Sequence, residues 1–252
     1  NAPLGYQIAI SAGVWTGTAV GFLAMLHYYP ARLQFDRVLA LRLLKVAWPA
    51  AAIEFIVIAY SRGSYFLLRS AGAVVQGEYA AADAMVRPLL SIAGAIFMST
   101  LPTVALLAAD QNFEALRRAY LRSIVRFTQV LLLLLAAAWI VAPFLLRRYA
   151  PEYTNATLPF RILSVGALFM FLNQLSTTFV VALGRFRVIM ANSAVNLAVY
   201  LALATRLIPR YGAAGAAAAT SIMEAINTII QIVIVLMLLR SASVRSPREP
   251  VG

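Results

Sequence analysis

Charged side chains interrupt an otherwise apolar hairpin in the first third of the chain. Its first arm carries Glu54, Arg62 and Arg69, and its second arm carries Asp83 and Arg87. A charge at the middle of a membrane costs roughly 2.5–3.5 kcal/mol even on the mildest insertion scales, so these groups need partners or a water-filled cavity. Arginine suits an anionic ligand there, because its planar guanidinium group binds phosphate bidentately and stays charged in a low dielectric. The pattern therefore predicts a cationic cavity that binds an anionic headgroup.

Two more charges, Arg161 and Glu224, fall within apolar segments. Arg161 and Arg69 lie near the ends of their segments, where a long side chain can reach the headgroups, so each is either a substrate ligand or an interfacial residue. Glu224 belongs to a polar stripe and has no basic residue on the same helix face within a turn. Such a carboxylate can take up and release a proton, which suits a proton carrier; the alternative is a neutral glutamic acid bonded to neighbouring amides. The stripe consists of Ser221, Glu224, Thr228 and Gln231.

The acidic residues of the hairpin have two interpretations. Asp83 and Arg87 are four positions apart with the acid first, which is the favourable order for a helical ion pair. Asp83 therefore either neutralises Arg87 alone or belongs, with Glu54 and Glu224, to a set that serves in ion coupling. The alternative for the arginines is a purely structural role in internal ion pairs. We predict Arg62, Arg69, Arg87 and Arg161 as substrate-binding residues, and Glu54, Asp83 and Glu224 as coupling or charge-balancing residues.

The composition is that of an integral membrane protein. Of 252 residues, 62% are hydrophobic and 12% are charged, whereas soluble domains have about 45–50% and about 25%. The net charge of +12 comes mainly from basic residues between apolar segments, which is typical of membrane orientation and not of nucleic-acid binding. With no cysteine and a single histidine, His27, the sequence favours neither a disulfide nor a histidine–cysteine metal site. It also lacks the P-loop, GxGxxG, HExxH and nucleophile-elbow motifs, so we expect neither an enzyme nor a bound cofactor.

Seven segments are long and apolar enough to cross a membrane as helices, which takes about 20 residues each. The sequence therefore predicts an all-α polytopic membrane protein with about seven transmembrane helices. The predicted spans are residues 5–27, 46–69, 79–105, 124–146, 157–183, 188–207 and 213–239.

Basic residues are distributed unevenly between the predicted loops. With the loop 30–45 placed in the cytoplasm, most of them lie on the cytoplasmic side, and the positive-inside rule then places the C-terminus there as well. We predict a multi-pass protein of the cytoplasmic (inner) membrane. The cytoplasmic set is Arg32, Arg37, Arg42, Lys45, Arg117, Arg118, Arg122, Arg126, Arg185, Arg187, Arg240, Arg245 and Arg248. The outer set is Arg69, Arg147, Arg148, Arg206 and Arg210.

Four short motifs follow one another along the chain near predicted turns. The first two are Gly77-Glu78-Tyr79-Ala80-Ala81-Ala82, similar to G-x-Y-x-x-A, and Ala150-Pro151-Glu152-Tyr153 with Ala156, similar to a Tyr-x-x-Ala turn. The other two are Ala182-Leu183-Gly184-Arg185, similar to a short interhelical turn, and LIPRYGAAGAA at 207–217, similar to L-I-P-x-Y-G-x-x-G-A-A. Their order and spacing resemble the C-terminal half of the polysaccharide-export flippases, which transport lipid-linked oligosaccharides and belong to the multidrug/oligosaccharidyl-lipid/polysaccharide exporter superfamily.

The resemblance implies a transporter of two six-helix lobes with alternating access, of which this chain supplies one lobe plus one helix. Residues 1–45 are expected to hold the last helix of the N-terminal lobe and a basic linker, which is either an interfacial helix or a loop. Residues 46–240 are expected to form the C-terminal six-helix lobe, and residues 241–252 a disordered cytoplasmic tail. Because the chain begins with Asn, we expect the rest of the N-terminal lobe to lie upstream.

The implied activity is that of a flippase, which moves a polyprenyl-pyrophosphate-linked oligosaccharide to the outer leaflet for surface polysaccharide or lipopolysaccharide biosynthesis. The expected partners are this lipid-linked oligosaccharide, membrane lipids and, as candidates, a polysaccharide polymerase and glycosyltransferases. One alternative is a drug/cation antiporter of the same superfamily, which would need a net acidic cavity. Another is a non-transporting membrane scaffold of a glycan-assembly complex. An enzyme acting on lipid-linked sugars is disfavoured, because the sequence has no large outer loop to hold catalytic groups.

The predicted topology can be tested by cysteine labelling in intact cells. Cysteines introduced at Asn112 and Ser243 should react only with membrane-permeant reagents, and one at Asn155 should react with impermeant reagents as well, because of the arginine and lysine asymmetry. Labelling of position 112 by an impermeant reagent would contradict the arrangement.

Overall fold

The computed structural model describes residues 2–28, 36–149 and 151–245. These residues form six α-helices and two short 3₁₀-helices, and none of them lies in a strand. The α-helices are α1 (Ala2–Tyr28), α2 (Arg37–Leu68), α3 (Ala73–Ala109), α4 (Phe113–Tyr149), α5 (Thr157–Ala182) and α6 (Phe186–Arg245). The 3₁₀-helices are Arg69–Ala71 and Pro151–Ala156.

Helix length and composition confirm an all-α polytopic membrane protein. Four helical segments of the described chain are long and apolar enough to cross a membrane, and the shorter segment Met98–Ala109 is also apolar. Each of the seven predicted spans overlaps one of the helices α1 to α6. The four long segments are Ala47–Ala71, Phe113–Arg148, Pro151–Ala182 and Phe186–Ser241.

The chain divides into two compact units, residues 1–47 and residues 48–252. The first unit contains α1 and the beginning of α2. The second unit contains the rest of α2 together with α3 to α6, and the contacts between helices described below belong to it. The predicted division into a linker, a lobe and a tail stays a prediction.

Helix α2 is longer than the predicted span. It begins at Arg37, where the Asp36 carboxylate accepts hydrogen bonds from two backbone amides of the first turn at 2.8 and 3.2 Å, as an N-cap does. It then continues through Pro49. From Arg37 onward, the predicted linker 30–45 is therefore helical and continuous with the following span; residues 29–35 lie outside the described residues.

The end of α6 also differs from the expectation. The helix continues to Arg245, and the Ser241 hydroxyl donates to the Leu238 carbonyl at 3.0 Å, three residues earlier in the same helix. The first part of the predicted tail, from residue 241, is thus helical. Residues 246–252 lie outside the described residues.

Helix α6 consists of two antiparallel arms, residues 186–211 and 213–245, which are joined by a kink at Gly212. This residue has φ 54° and ψ −126°, a conformation that glycine adopts far more readily than other residues. The Asn192 side chain on the first arm donates to Asn227 on the second arm at 2.7 Å, so the arms lie side by side. They correspond to the last two predicted spans.

Three of the motifs behind the family resemblance meet at one end of the second unit. A Cβ added to Gly77, in the first motif, would lie 2.7 Å from the ring of Tyr153, in the second motif. A Cβ added to Gly212, in the last motif, would lie 3.0 Å from a methyl group of Val75. The glycines at these positions therefore permit close packing of the turns around the start of α3.

Small side chains and hydroxyls bring α5 and the second arm of α6 together. The hydroxyls of Ser221 and Thr228, seven residues apart, donate to the carbonyls of Ile162 and Phe169 on α5 at 2.8 and 2.7 Å. Gly166 lies between these two bonds, and a Cβ added there would lie 3.1 Å from the Ser221 Cα and collide with its Oγ. Such close approach through small residues is how membrane helices associate without a hydrophobic driving force.

We expect Gly166→Ala to lower the melting temperature of the detergent-purified protein. The added methyl group overpacks the α5–α6 contact, and such changes cost about 1–3 kcal/mol. Gly94→Ala is the matched control, because a Cβ at Gly94 meets no described atom within 4 Å. Melting is measured as the loss of the size-exclusion peak after heating, and equal melting temperatures for the two variants would contradict the packing.

Candidate functional site

The four candidate arginines are exposed, but their surroundings differ. Arg62 on α2 and Arg69 in the following 3₁₀-helix have no hydrogen bond or ion pair with the described residues. Arg87 on α3 forms an ion pair, and its side chain is 49% exposed. Arg161 begins the second turn of α5 and lies over the ring of Trp139 on α4, 6.0 Å from its centroid, within the range of a cation–π contact.

The carboxylate of Asp83 connects the two arms of the hairpin. Its Oδ2 accepts hydrogen bonds from the Tyr65 hydroxyl at 2.6 Å and from Arg87 Nε and Nη2 at 2.9 and 2.6 Å. The predicted pair between Asp83 and Arg87 is thereby confirmed as a contact. The Gln76 amide adds a second bridge between the arms by donating to the Tyr65 carbonyl at 3.0 Å.

Arg62 and Arg87 lie on the two arms of the hairpin. Arg62 precedes Tyr65 by three residues on α2, and Arg87 follows Asp83 by four residues on α3. Both side chains are exposed; the guanidinium group of Arg87 is bonded to Asp83, and that of Arg62 has no partner among the described residues.

Helix α2 contacts the rest of its unit mainly through its last turns. The Ser64 hydroxyl is hydrogen-bonded to the Tyr200 hydroxyl at 2.7 Å, and a Cβ at Gly63 would lie 2.9 Å from the same ring. Earlier on α2, Tyr60 is buried beside Tyr200 with ring centroids 6.5 Å apart. Before Tyr60, the side chains of Ile53, Ile56 and Val57 are partly buried against the core, and the helix also borders open space.

That space consists of two neighbouring cavities, one of about 360 Å³ between α2, α5 and α6 and one of about 350 Å³ that α3 also lines. They share the lining residues Val57, Tyr60, Asn173 and Gln174. Amide and hydroxyl side chains supply most of the polar lining. The first cavity is also lined by Glu54, Thr177, Asn192, Ser193, Asn196, Asn227 and Gln231, and the second by Ser61, Gly94 and Glu224.

A chain of side-chain hydrogen bonds leads to Glu224, which is 2% exposed. Asn192 donates to Asn227 at 2.7 Å, and Asn227 donates to Glu224 Oε2 at 3.4 Å. Four buried amide oxygens of this region have no partner among the described residues, so the cavities hold hydrogen-bonding capacity that the described chain does not use. These oxygens belong to Asn173, Asn192, Asn196 and Gln231.

The residues of the predicted polar stripe on α6 (Ser221, Glu224, Thr228 and Gln231) either bind α5 or line the cavities. Ser221 and Thr228 bind backbone carbonyls of α5, as described above, and hold the two helices together. Glu224 and Gln231 border the cavities. Gln231 reaches across to Thr177 on α5 with a separation of 3.5 Å.

The linings of the two cavities contain only part of the predicted set of charges. Glu54 and Glu224 line the two cavities, and none of the four candidate arginines does. Arg62 and Arg87 lie instead on the exposed surface of the α2–α3 hairpin. The roles of all seven candidate residues stay predictions, but they now belong to an arginine face, defined by Arg62 and Arg87, and an amide–carboxylate cavity around Glu224.

Among the lining residues that sequence reasoning did not single out are Tyr60, beside Tyr200, and Asn227, which donates to Glu224. Tyr60 lies one turn before Ser64 on α2, in a segment that contains several aromatic residues. The sequence does not indicate which of these aromatic side chains is buried. Asn227 lies three residues after Glu224, on the same face of an apolar helix. This spacing could have identified its amide as the hydrogen-bond donor to the Glu224 carboxylate.

Removing the Asn227 amide should destabilise the protein. Asn227→Ala leaves the Asn192 amide and the Glu224 carboxylate without their buried partner, which costs about 1–3 kcal/mol for each group left unpaired. Asn155→Ala makes the same chemical change at an exposed position and should be nearly neutral. Thermal melting of the two purified variants measures the difference, and a loss of similar size in both would show that the network contributes nothing.

The fold is similar to that of proteins whose structures have been solved. No protein-family model matches the sequence, and no curated protein matches it either. Among solved structures, the chain is similar to an outward-facing multidrug resistance MATE family transporter of the MOP superfamily, with a TM-score of 0.73, 14% identity, and coverage of 90% of this chain and 54% of that one.

Two other solved MATE structures are similar to this chain over about the same length. An inward-facing MATE family transporter gives a TM-score of 0.69 at 16% identity, over 85% of this chain and 51% of that one. A point mutant of MATE gives a TM-score of 0.73 at 14% identity, over 88% of this chain and 53% of that one. The chain spans about half the length of these transporters, and its fold is similar to one half of a MATE transporter.

Proposed function

We propose that this chain forms one half of a transporter of the MOP superfamily, and that the whole protein flips a polyprenyl-pyrophosphate-linked oligosaccharide across the cytoplasmic membrane. The similarity of fold to half of several MATE transporters supports a transporter with alternating access between two lobes. The arrangement of basic loops supports the cytoplasmic membrane, with the C-terminus inside.

The arginine face carries the proposal for the substrate. Arg62 and Arg87 are both exposed, one on each apolar arm of the hairpin. An arginine facing lipid at such a position would be costly, so these side chains must face water or a polar partner. A water-filled passage next to this face would suit a pyrophosphate headgroup, whose charge needs cationic partners once it leaves bulk water.

The amide–carboxylate cavity suits a second task, the coupling of transport to an ion. Glu224 is buried, its described hydrogen-bond donor is the neutral Asn227, and unpartnered amide oxygens surround it. A carboxylate in such a place can change its protonation as the transporter changes conformation. Glu224→Gln should therefore abolish the dependence of transport on the membrane pH gradient. If the variant keeps this dependence, Glu224 is not the coupling residue.

The arginine face is tested by single substitutions in the complete protein. Arg62→Ala and Arg87→Ala should abolish export and leave the amount of membrane-inserted protein near that of the native protein, because both side chains are exposed. Arg62→Lys should be partly active, because lysine keeps the charge but loses the planar group that grips phosphate bidentately. The measurement is surface polysaccharide per unit of inserted protein in a flippase-deficient strain.

Arg185→Ala is the matched control, since Arg185 is exposed in the turn between α5 and α6, away from the arginine face. It should still export. Normal export by both Arg62→Ala and Arg87→Ala would refute the proposed binding role and would favour structural arginines or a non-transporting scaffold.

A drug/cation antiporter is the second candidate, because the cavity lining favours it in one respect. The two cavities contain the carboxylates Glu54 and Glu224 and none of the candidate arginines, which would suit a cationic substrate. Efflux of a cationic dye from cells expressing the complete protein separates the candidates. Dye efflux that is lost in Glu54→Gln, together with failure of the native protein to restore export in a flippase-deficient strain, would establish the antiporter.

A further inference from the structure

Helix α4 carries a row of basic side chains on one face near its start. Arg118, Arg122 and Arg126 follow one another at intervals of four residues, so each lies about 40° around the helix from the one before and about 6 Å further along it. All three side chains are exposed. These three arginines are the basic stripe of α4.

The opposite face of the same turns is fixed against the protein. The side chains of Leu116 and Tyr120 are completely buried, and the Tyr120 ring packs against Phe179 of α5 with ring centroids 4.8 Å apart. The Tyr120 hydroxyl is also hydrogen-bonded to the Ser176 hydroxyl of α5 at 2.8 Å. These contacts fix the rotation of α4 about its axis, so the basic stripe is held facing away from the lobe.

The basic stripe is largely free to bind an external anion. Arg126 has no hydrogen bond or ion pair with the described residues. Arg122 donates its Nε to the Arg118 carbonyl at 3.3 Å, which orients the side chain and leaves its terminal nitrogens available. Arg118 lies 3.9 Å from the Glu114 carboxylate, but both side chains are largely exposed, and ion pairs of this kind contribute little.

The apolar part of α4 indicates the depth of the basic stripe. Residues 127–146 carry no charge, and Arg147 follows them. At about 1.5 Å per residue this segment is about 30 Å long, which is the thickness of the hydrocarbon core of a bilayer. Arg126 therefore lies at the boundary of the hydrocarbon. Arg122 lies about 6 Å beyond it, within a headgroup layer of about 5–8 Å in each leaflet.

The face that carries the basic stripe continues into exposed apolar side chains. Leu133 and Ile140 follow Arg122 by about three and five whole helical turns, so they lie in line with it. Their side chains are 74% and 79% exposed. None of the described α4 residues lines either of the two cavities beside α2. This face is therefore complementary to an amphiphile that has hydrocarbon chains and a negative headgroup.

We propose that this face of α4 binds one anionic phospholipid, with its phosphate between Arg122 and Arg126 and its acyl chains along Leu133 and Ile140. Arg118, at the outer edge of the headgroup layer, adds to the attraction. The site is separate from the arginine face and from the amide–carboxylate cavity, and it does not depend on the proposed transport activity. Under the predicted topology, the lipid belongs to the cytoplasmic leaflet.

The site can be tested with the complete, purified and delipidated protein. Native mass spectrometry counts the molecules bound during titration with phosphatidylglycerol, with phosphatidylcholine or with inorganic phosphate. We expect one phosphatidylglycerol to bind in preference to phosphatidylcholine, which has the chains without the net charge. Inorganic phosphate, which has the charge without the chains, should not displace it.

Substitutions of exposed arginines locate the site. Replacing Arg122 and Arg126 together by glutamine should weaken phosphatidylglycerol binding about tenfold or more, since each basic residue near the surface contributes to the attraction of anionic lipid. Replacing both by lysine keeps the charge and should preserve most of the binding. The matched control replaces Arg185 and Arg187, which are exposed near the start of α6, by glutamine. It removes the same charge and should bind as the native protein does.

Four results would overturn the proposal. Unchanged binding in the glutamine variant of Arg122 and Arg126 would show that the lipid lies elsewhere. Equal losses in this variant and in the control would show that charge acts nonspecifically. Equal binding of phosphatidylcholine, or displacement by inorganic phosphate alone, would show that the face does not recognise chains and charge together. Preferential binding of a polyprenyl phosphate over phosphatidylglycerol would assign the face to the substrate of the proposed flippase instead.

Discussion

The bilayer imposes one constraint on which the rest of this structure depends: a polar group placed among hydrocarbon must find a partner within the protein or face water. The Asp83 carboxylate meets this demand by accepting bonds from Tyr65 and from Arg87. This acceptor links a residue of α2 to a residue of α3, beside the bridge from Gln76 to the Tyr65 carbonyl, and leaves the guanidinium of Arg87 half-exposed. Arg62 is exposed and has no partner among the described residues, so its charge would be costly among hydrocarbon unless it reaches water or the lipid headgroups.

The same requirement organises the contact between α5 and α6 in another way. Ser221 and Thr228 place their hydroxyls against α5 carbonyls, and Gly166 leaves the room for that approach. These bonds fix which face of the second α6 arm is turned inward. Glu224 lies between the two hydroxyl residues on that arm, so the packing that joins the helices also carries the carboxylate to the edge of the cavities.

The resulting lobe offers two chemically different surfaces. One is the arginine face of the α2–α3 hairpin, and the other is a buried set of amides around a carboxylate. An anionic headgroup suits the first surface, and a coupling ion or proton suits the second. Helix α2 borders both surfaces, since it carries Arg62 and also Glu54 and Tyr60 of the cavity lining.

The positions of the helices along the chain follow directly from the sequence. Which residues of different helices contact one another was decided by the tertiary structure alone. Apolar segments of about 20 residues are enough to predict the helices, since lipid permits little else, and the Asp83–Arg87 pair follows from its spacing on one helix. The sequence also groups Glu54 and Glu224 with the arginines, because all are charges in apolar segments; helix packing instead places these two on cavities that none of the four arginines lines. Hydropathy determines where each helix lies along the chain, but its rotation and partners depend on close packing and hydrogen bonds between helices, which no single segment encodes.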